Sequence, residues 1–90
     1  MTKSRRPAPK RVERVQIGAR MEKSLVKVLR GLADYLDLSL GDLLEGITLH
    51  ALEGKTPFSP ETLAHVKRFK TVHSLTLTAK DSHNLVETSR

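Results

Sequence analysis

Arg14-Val15-Gln16-Ile17-Gly18-Ala19-Arg20-Met21 puts apolar residues at odd positions and polar residues or glycine at even ones. That alternation is the period of a half-buried strand. From Glu22 the period changes. Leu25, Val28, Leu29, Leu32, Ala33 and Leu36 follow the i, i+3, i+4, i+7 spacing of an amphipathic helix, with Glu22 at its start to suit the helix dipole. The stretch therefore predicts one strand feeding a long helix. No second strand pattern precedes residue 75, and even an isolated two-stranded ribbon is barely stable in water. The reading asks for the same strand from a second copy of the chain.

Further along, the helical pattern breaks at Asp37-Leu38 and restarts at Ser39, an N-cap residue with Asp42 three positions on as a capping-box variant. Leu40, Leu43, Leu44, Ile47 and Ala51 form the inner stripe of this second helix, and Gly54 is placed to stop it. Leu49 and Leu52 lie off the stripe, so the helix needs cover on two sides, a second argument for a dimer. After Thr56-Pro57, Ser59 reads as an N-cap and Pro60 as the first residue of a third helix, about 60–72. Phe58 and Leu63 stand at the two positions of a hydrophobic staple, and Leu63, Val66 and Phe69 make a narrow apolar stripe. Leu75–Thr78 reads as a short strand and residues 79–90 as a frayed tail. Gly31 and Gly46 lie inside helices, where each costs about 1 kcal/mol against alanine. Close helix packing in the dimer is one reason for them, and simple tolerance is the other.

Charge is divided unevenly. The chain of 90 residues carries 16 Lys and Arg against 10 Asp and Glu, a net +6. Lys3, Arg5, Arg6, Lys10, Arg11, Arg14 and Arg20 face one acid, Glu13, within residues 1–20, and the nine bases beyond them are matched by nine acids. The whole excess thus sits in the first fifth of the chain. A basic arm on a neutral body points to a polyanion, nucleic acid before an anionic membrane. Residues 1–13, with Pro7 and Pro9 and little to bury, read as a disordered arm. There is no cysteine, so neither disulfides nor a thiolate metal site reinforce so small a core. No apolar run approaches the length of a membrane span. Together these features predict a soluble, cytoplasmic, nucleoid-associated protein.

Val15-Gln16-Ile17-Gly18-Ala19-Arg20-Met21, then Leu25 and Leu29, then Leu38-Ser39-Leu40-Gly41-Asp42-Leu43-Leu44 resemble the ribbon-helix-helix family of the Arc and Met repressors and CopG-like plasmid regulators. The resemblance covers residues 14–54, about half the chain. It implies a mainly α fold with one N-terminal strand, built as an intertwined homodimer around a two-stranded antiparallel intersubunit β-ribbon. The ribbon would enter the major groove of a palindromic operator. The base-reading face would be Gln16, Gly18 and Arg20, with Arg14 at its margin. Gln matches adenine and Arg matches guanine in bidentate pairs, and Gln16 and Arg20 would stand about 13 Å apart along one face. Gly18 departs from the family, which usually carries a side chain there, and glycine can mark a bulge. The resemblance further implies a DNA phosphate gripped by Ser39, Leu40 and Gly41 at the second helix's N-terminus, an anion site by its free N–H groups. Lys3, Arg5, Arg6, Lys10 and Arg11 would add non-specific contacts. Val15, Ile17, Ala19, Met21, Leu29, Leu32, Leu36, Leu43, Leu44 and Ile47 would form the dimer core.

Taken alone, Gln16 and Arg20 fit the solvated face of any strand, and Ser39 a plain helix cap; the basic arm and the helix pair turn the reading toward DNA. His50, His65, His73 and His83 lack the spacing of a ligand set, and no nucleophile–base pair, glycine-rich phosphate loop or carboxylate dyad stands out. Neither an enzyme, a metal site nor a cofactor is expected. The function implied is a DNA-binding transcriptional regulator, in sense a repressor, with double-stranded DNA and a second copy as partners and room for higher-order assembly on DNA. An antitoxin that autoregulates through the same fold and holds a toxin with residues 55–90 is the second reading. A dimeric interaction module with no sequence-specific DNA role, its arm on RNA or acidic surfaces, is the third.

Overall fold

Glu22 is the point where the chain becomes helical. Its backbone is extended, and its carboxylate accepts hydrogen bonds from the Leu25 amide at 2.9 Å and the Ser24 hydroxyl at 2.6 Å. It is thus the N-cap of α1 (Lys23–Leu36), meeting one of the donors a helix start leaves without a partner. The computed structural model describes residues 8–88. Two more helices follow, α2 (Leu40–Leu52) and α3 (Pro60–Val72). Ser39 caps α2 by accepting from the Asp42 amide at 3.1 Å, and Ser59 caps α3 by accepting from the Thr62 amide at 3.1 Å, with Pro60 in the first turn.

All three helices stop the same way. Asp37, Gly54 and Ser74 adopt left-handed backbone angles. The next amide in each case reaches back to a carbonyl five residues earlier: Leu38 to Ala33 at 2.9 Å, Lys55 to His50 at 2.8 Å, Leu75 to Lys70 at 2.9 Å. This is the Schellman closure, which satisfies carbonyls the helix end would otherwise orphan.

Helix α1 lies centrally and packs against both α2 and α3. The core is Leu32, Ala33 and Leu43, with Leu29, Leu36, Ile47, Phe58, Val66 and Phe69 packed around it. Leu32 is only 1% exposed. Gly31 has a structural reason inside one chain: a Cβ there would stand 3.2 Å from Cδ1 of Phe69. No atom of the chain lies within 4 Å of a Cβ built on Gly46, so close packing inside the chain accounts for Gly31 and not for Gly46. Tyr35 stacks on His65 with ring centroids 3.9 Å apart and meets Phe69 edge-on at 6.5 Å. Phe58 joins the core while Leu63 stays 42% exposed, so only one partner of the expected staple is well covered.

The expected ribbon-helix-helix architecture is not found. The chain is a three-helix protein, with no strand among the described residues. Residues 8–22 carry no secondary structure and are exposed throughout. None of the backbone hydrogen bonds linking segments involves residues 8–21. A strand exists through its ladder, and alternation only says which residues would share a face once a ladder is present. Within one chain there is nothing for this segment to pair with, and Val15 and Ile17 stay 83% and 80% exposed. The residues assigned to an intertwined dimer core divide accordingly. Val15, Ile17, Ala19 and Met21 are exposed, whereas Leu29, Leu32, Leu36, Leu43, Leu44 and Ile47 are buried or half-buried within the single chain.

The C-terminal segment is likewise corrected. Leu75–Thr78 is not a strand; Leu75 is buried and Leu77 half-buried. Residues Ala79–Asp81 form a 3-10 turn closed by a capping box, in which the Thr78 amide donates to the Asp81 carboxylate at 2.8 Å. The expected fraying from residue 79 does not begin there.

Candidate nucleic-acid interface

Arg14, expected at the margin of a reading face, is held against α2. Its Nε donates to Glu45 Oε2 at 2.8 Å and its Nη2 to Glu45 Oε1 at 2.9 Å, a two-pronged guanidinium–carboxylate pair. Asp42 Oδ1 lies 3.9 Å from the same guanidinium. The pairing raises the Arg14 pKa further above its ordinary value, first through the hydrogen bonds to Glu45 and then through its charge. The same bonds hold the Glu45 carboxyl below the usual carboxylate range. Asp42 and Glu45 are three apart, which puts them on one helix face, with Arg14 across it.

Arg20, the expected guanine reader, pairs with Glu87 in the C-terminal segment; its Nε donates to Glu87 Oε1 at 3.2 Å, and Nη2 is paired with Oε2. Gln16 and Gly18 lie between the two arginines in exposed chain, and no atom lies within 4 Å of a Cβ built on Gly18. The position is open to any side chain, and with no ladder present the question of a bulge does not arise. Lys10 and Arg11 are exposed and make no ion pair among the described residues. Lys3, Arg5 and Arg6 lie outside the described residues, as does most of the arm expected to be disordered.

At the start of α2, the Asp42 amide is taken by the Ser39 hydroxyl and the Leu43 amide by the Ser39 carbonyl. Leu40 and Gly41 are the first two helical residues, whose N–H groups have no partner within the helix. The capping role of Ser39 is thus in place. Asp42, with its carboxylate in the same turn, opposes an anion there, and Arg14 beside it offsets that charge.

The structure therefore gathers Arg14 and the α2 N-terminus into one neighbourhood and ties Arg20 to the far end of the chain. Sequence reasoning missed Glu45 and Glu87. The one available signal was Asp42 and Glu45 at helical spacing, an acidic face within the family-like stretch.

Elsewhere the chemistry is sparse. No group of three or more His, Cys, Asp or Glu among the described residues could hold a metal ion. His50 meets the Gly46 carbonyl of its own helix through Nδ1 at 2.7 Å. No helix among the described residues is long and apolar enough to cross a membrane. Comparison of the chain with protein-family models, curated proteins and solved structures finds no match. The functional reading rests on residues and geometry.

Proposed function

We propose that the chain binds double-stranded DNA and acts as a transcriptional regulator, with its basic N-terminal segment as the contact element. One observation carries the reading. The full +6 excess lies in residues 1–20, and the described part of that segment is exposed chain outside the neutral helical body. Charge placed this way meets a polyanion without the body having to fit it, and phosphate neutralisation by Lys and Arg supplies most non-specific DNA affinity. Gln16 and Arg20 supply the base-reading chemistry, bidentate toward adenine and guanine respectively. The amides of Leu40 and Gly41, with Ser39 and Arg14, offer a place for one backbone phosphate.

The working unit in this reading is a homodimer. Val15, Ile17, Leu49 and Leu52 are all largely exposed, Leu52 at 79%, and a second copy would take these side chains out of water. The antitoxin reading has less support, because α3 is built into the chain's own core through Phe69 and Val66.

Selection from random duplex DNA tests the proposal. One enriched motif, lost or changed in Gln16→Ala and Arg20→Ala, is the expected result. Enrichment of no motif, with equal binding to RNA and other polyanions, favours the interaction module instead. A motif unaltered by both substitutions removes the reading role from this segment.

A further inference from the structure

We infer that Glu45 and Glu87 are internal competitors of DNA: they hold the Nε–Nη2 side of Arg14 and Arg20 in the free protein, and each arginine must leave its carboxylate before that side, with its charge uncompensated, can meet nucleic acid. The inference rests on the DNA-binding reading above.

The geometry at Arg14 carries it. A guanidinium presents paired N–H donors on two sides, Nε with Nη2 and Nη1 with Nη2, and either pair can meet two phosphate oxygens or guanine O6 and N7. Glu45 occupies the Nε–Nη2 pair of Arg14 with both carboxylate oxygens, at 2.8 and 2.9 Å. Glu87 uses both oxygens on Arg20 in the same manner. A carboxylate so placed is a stand-in for the ligand: the two cannot share the Nε–Nη2 pair, and the carboxylate's charge opposes a phosphate on the remaining donors.

The two holds come from different parts of the molecule. Glu45 is on α2 and Glu87 near the C-terminal end of the described chain, so the segment is tied at two points six residues apart. Lys10 and Arg11, N-terminal to both ties, have no such carboxylate among the described residues. The order of events follows. The arm meets the phosphate backbone first, and the two arginines exchange partners afterwards.

All four paired side chains are well exposed, which keeps the barrier low. Exposed ion pairs are weak, and releasing one arginine from such a competitor is worth about a 2–5-fold gain in affinity. The device therefore trims affinity without abolishing binding.

Fluorescence anisotropy of a labelled duplex at about 0.1 M salt, titrated with the full chain, tests the inference. The proteins are the natural chain, Glu45→Gln, Glu87→Gln and, as a control for net charge, Glu61→Gln, whose carboxylate makes no ion pair among the described residues. Glutamine keeps the shape of each side chain, and circular dichroism verifies that every variant is folded. Glu45→Gln and Glu87→Gln should each bind about 2–5-fold tighter than the natural chain and clearly tighter than Glu61→Gln. In an Arg14→Ala background, the gain from Glu45→Gln should shrink to that of the control. Equal gains in all three Glu variants, or a Glu45 gain that survives Arg14→Ala, overturn the inference and leave DNA binding standing. Absence of duplex binding by every protein overturns both.

Discussion

Residues 8–22 and residues 23–88 obey opposite rules. The body joins three capped helices around Leu32, Ala33 and Leu43, and its ion pairs are incidental to that core. The N-terminal segment has no secondary structure, exposes its apolar residues, and meets the body through exposed ion pairs at Arg14 and Arg20. Burial holds one region and charge the other. Hydrophobic burial is insensitive to moderate salt, whereas exposed pairs weaken with it. The attachment of the segment should therefore respond to ionic conditions while the body does not.

Removing residues 2–11 tests that division most severely. The deletion takes away Lys3, Arg5, Arg6, Lys10 and Arg11. If all five contact phosphates, the slope of log affinity against log salt should flatten by roughly 4 to 5 per chain, and affinity at low salt should fall by orders of magnitude on every duplex alike. The thermal midpoint of the helices should stay where it was. A midpoint that falls with the deletion would show the two regions to be one cooperative unit.

Phe69→Ala should do the reverse. Phe69 packs on Gly31 and the core, meeting Tyr35 edge-on, and its truncation should cost about 1–4 kcal/mol of stability in denaturant unfolding. DNA affinity, measured where the variant remains folded, should hardly move. The two helical glycines give a finer contrast. Gly46→Ala meets open space and should stabilise by about 0.5–1 kcal/mol through helix propensity. Gly31→Ala gains the same propensity but presses on Phe69 at 3.2 Å, so its gain should be smaller or reversed. A dimer packed through Gly46 would invert that order, with the loss growing as protein concentration falls.

The legible part of the sequence was the part governed by near neighbours. Ser39, Ser59 and Gly54 mark helix boundaries because a cap is settled within three or four residues, and the Asp37-Leu38 break is a local backbone event. The apolar stripes of α1 and α2 were visible for the same reason, and within the single chain they pack against one another and α3. What local pattern does not contain is the partner. Arg14 meets Glu45 31 residues away and Arg20 meets Glu87 67 residues away, and nothing in either spacing encodes those pairs. The strand failed on the same ground. Alternation from Arg14 to Met21 fixes a face, and a ladder needs a second strand that the chain does not supply. Gly31 could be flagged as anomalous, but the ring of Phe69 that explains it lies on another helix.

The smallest expected effect is acid sensitivity, which falls in both regions with different consequences. Glu22 is held below the usual carboxylate range by hydrogen bonds from the Ser24 hydroxyl and then the Leu25 amide, and Glu45 by Arg14. A carboxyl with a depressed folded-state pKa contributes stability that is fully present above its unfolded value, about 4.3, and is lost as pH falls through the folded value. Glu22 caps α1, so its protonation should lower the thermal midpoint of the body slightly, and Glu22→Gln should remove that part of the pH dependence. Glu45 holds only the segment, so its protonation should release Arg14 without touching the helices. Nuclear magnetic resonance can follow both in one titration, through the Leu25 amide for the cap and the Arg14 Nε–H for the tie. Both signals should stay constant from neutral pH down to about 5 and move only below it. An Arg14 signal that moves together with the amides of the core residues Leu32 and Leu43, which neither carboxyl touches, would mean that the segment and the body come apart as one, and the contrast between burial and charge would fail at its most sensitive point.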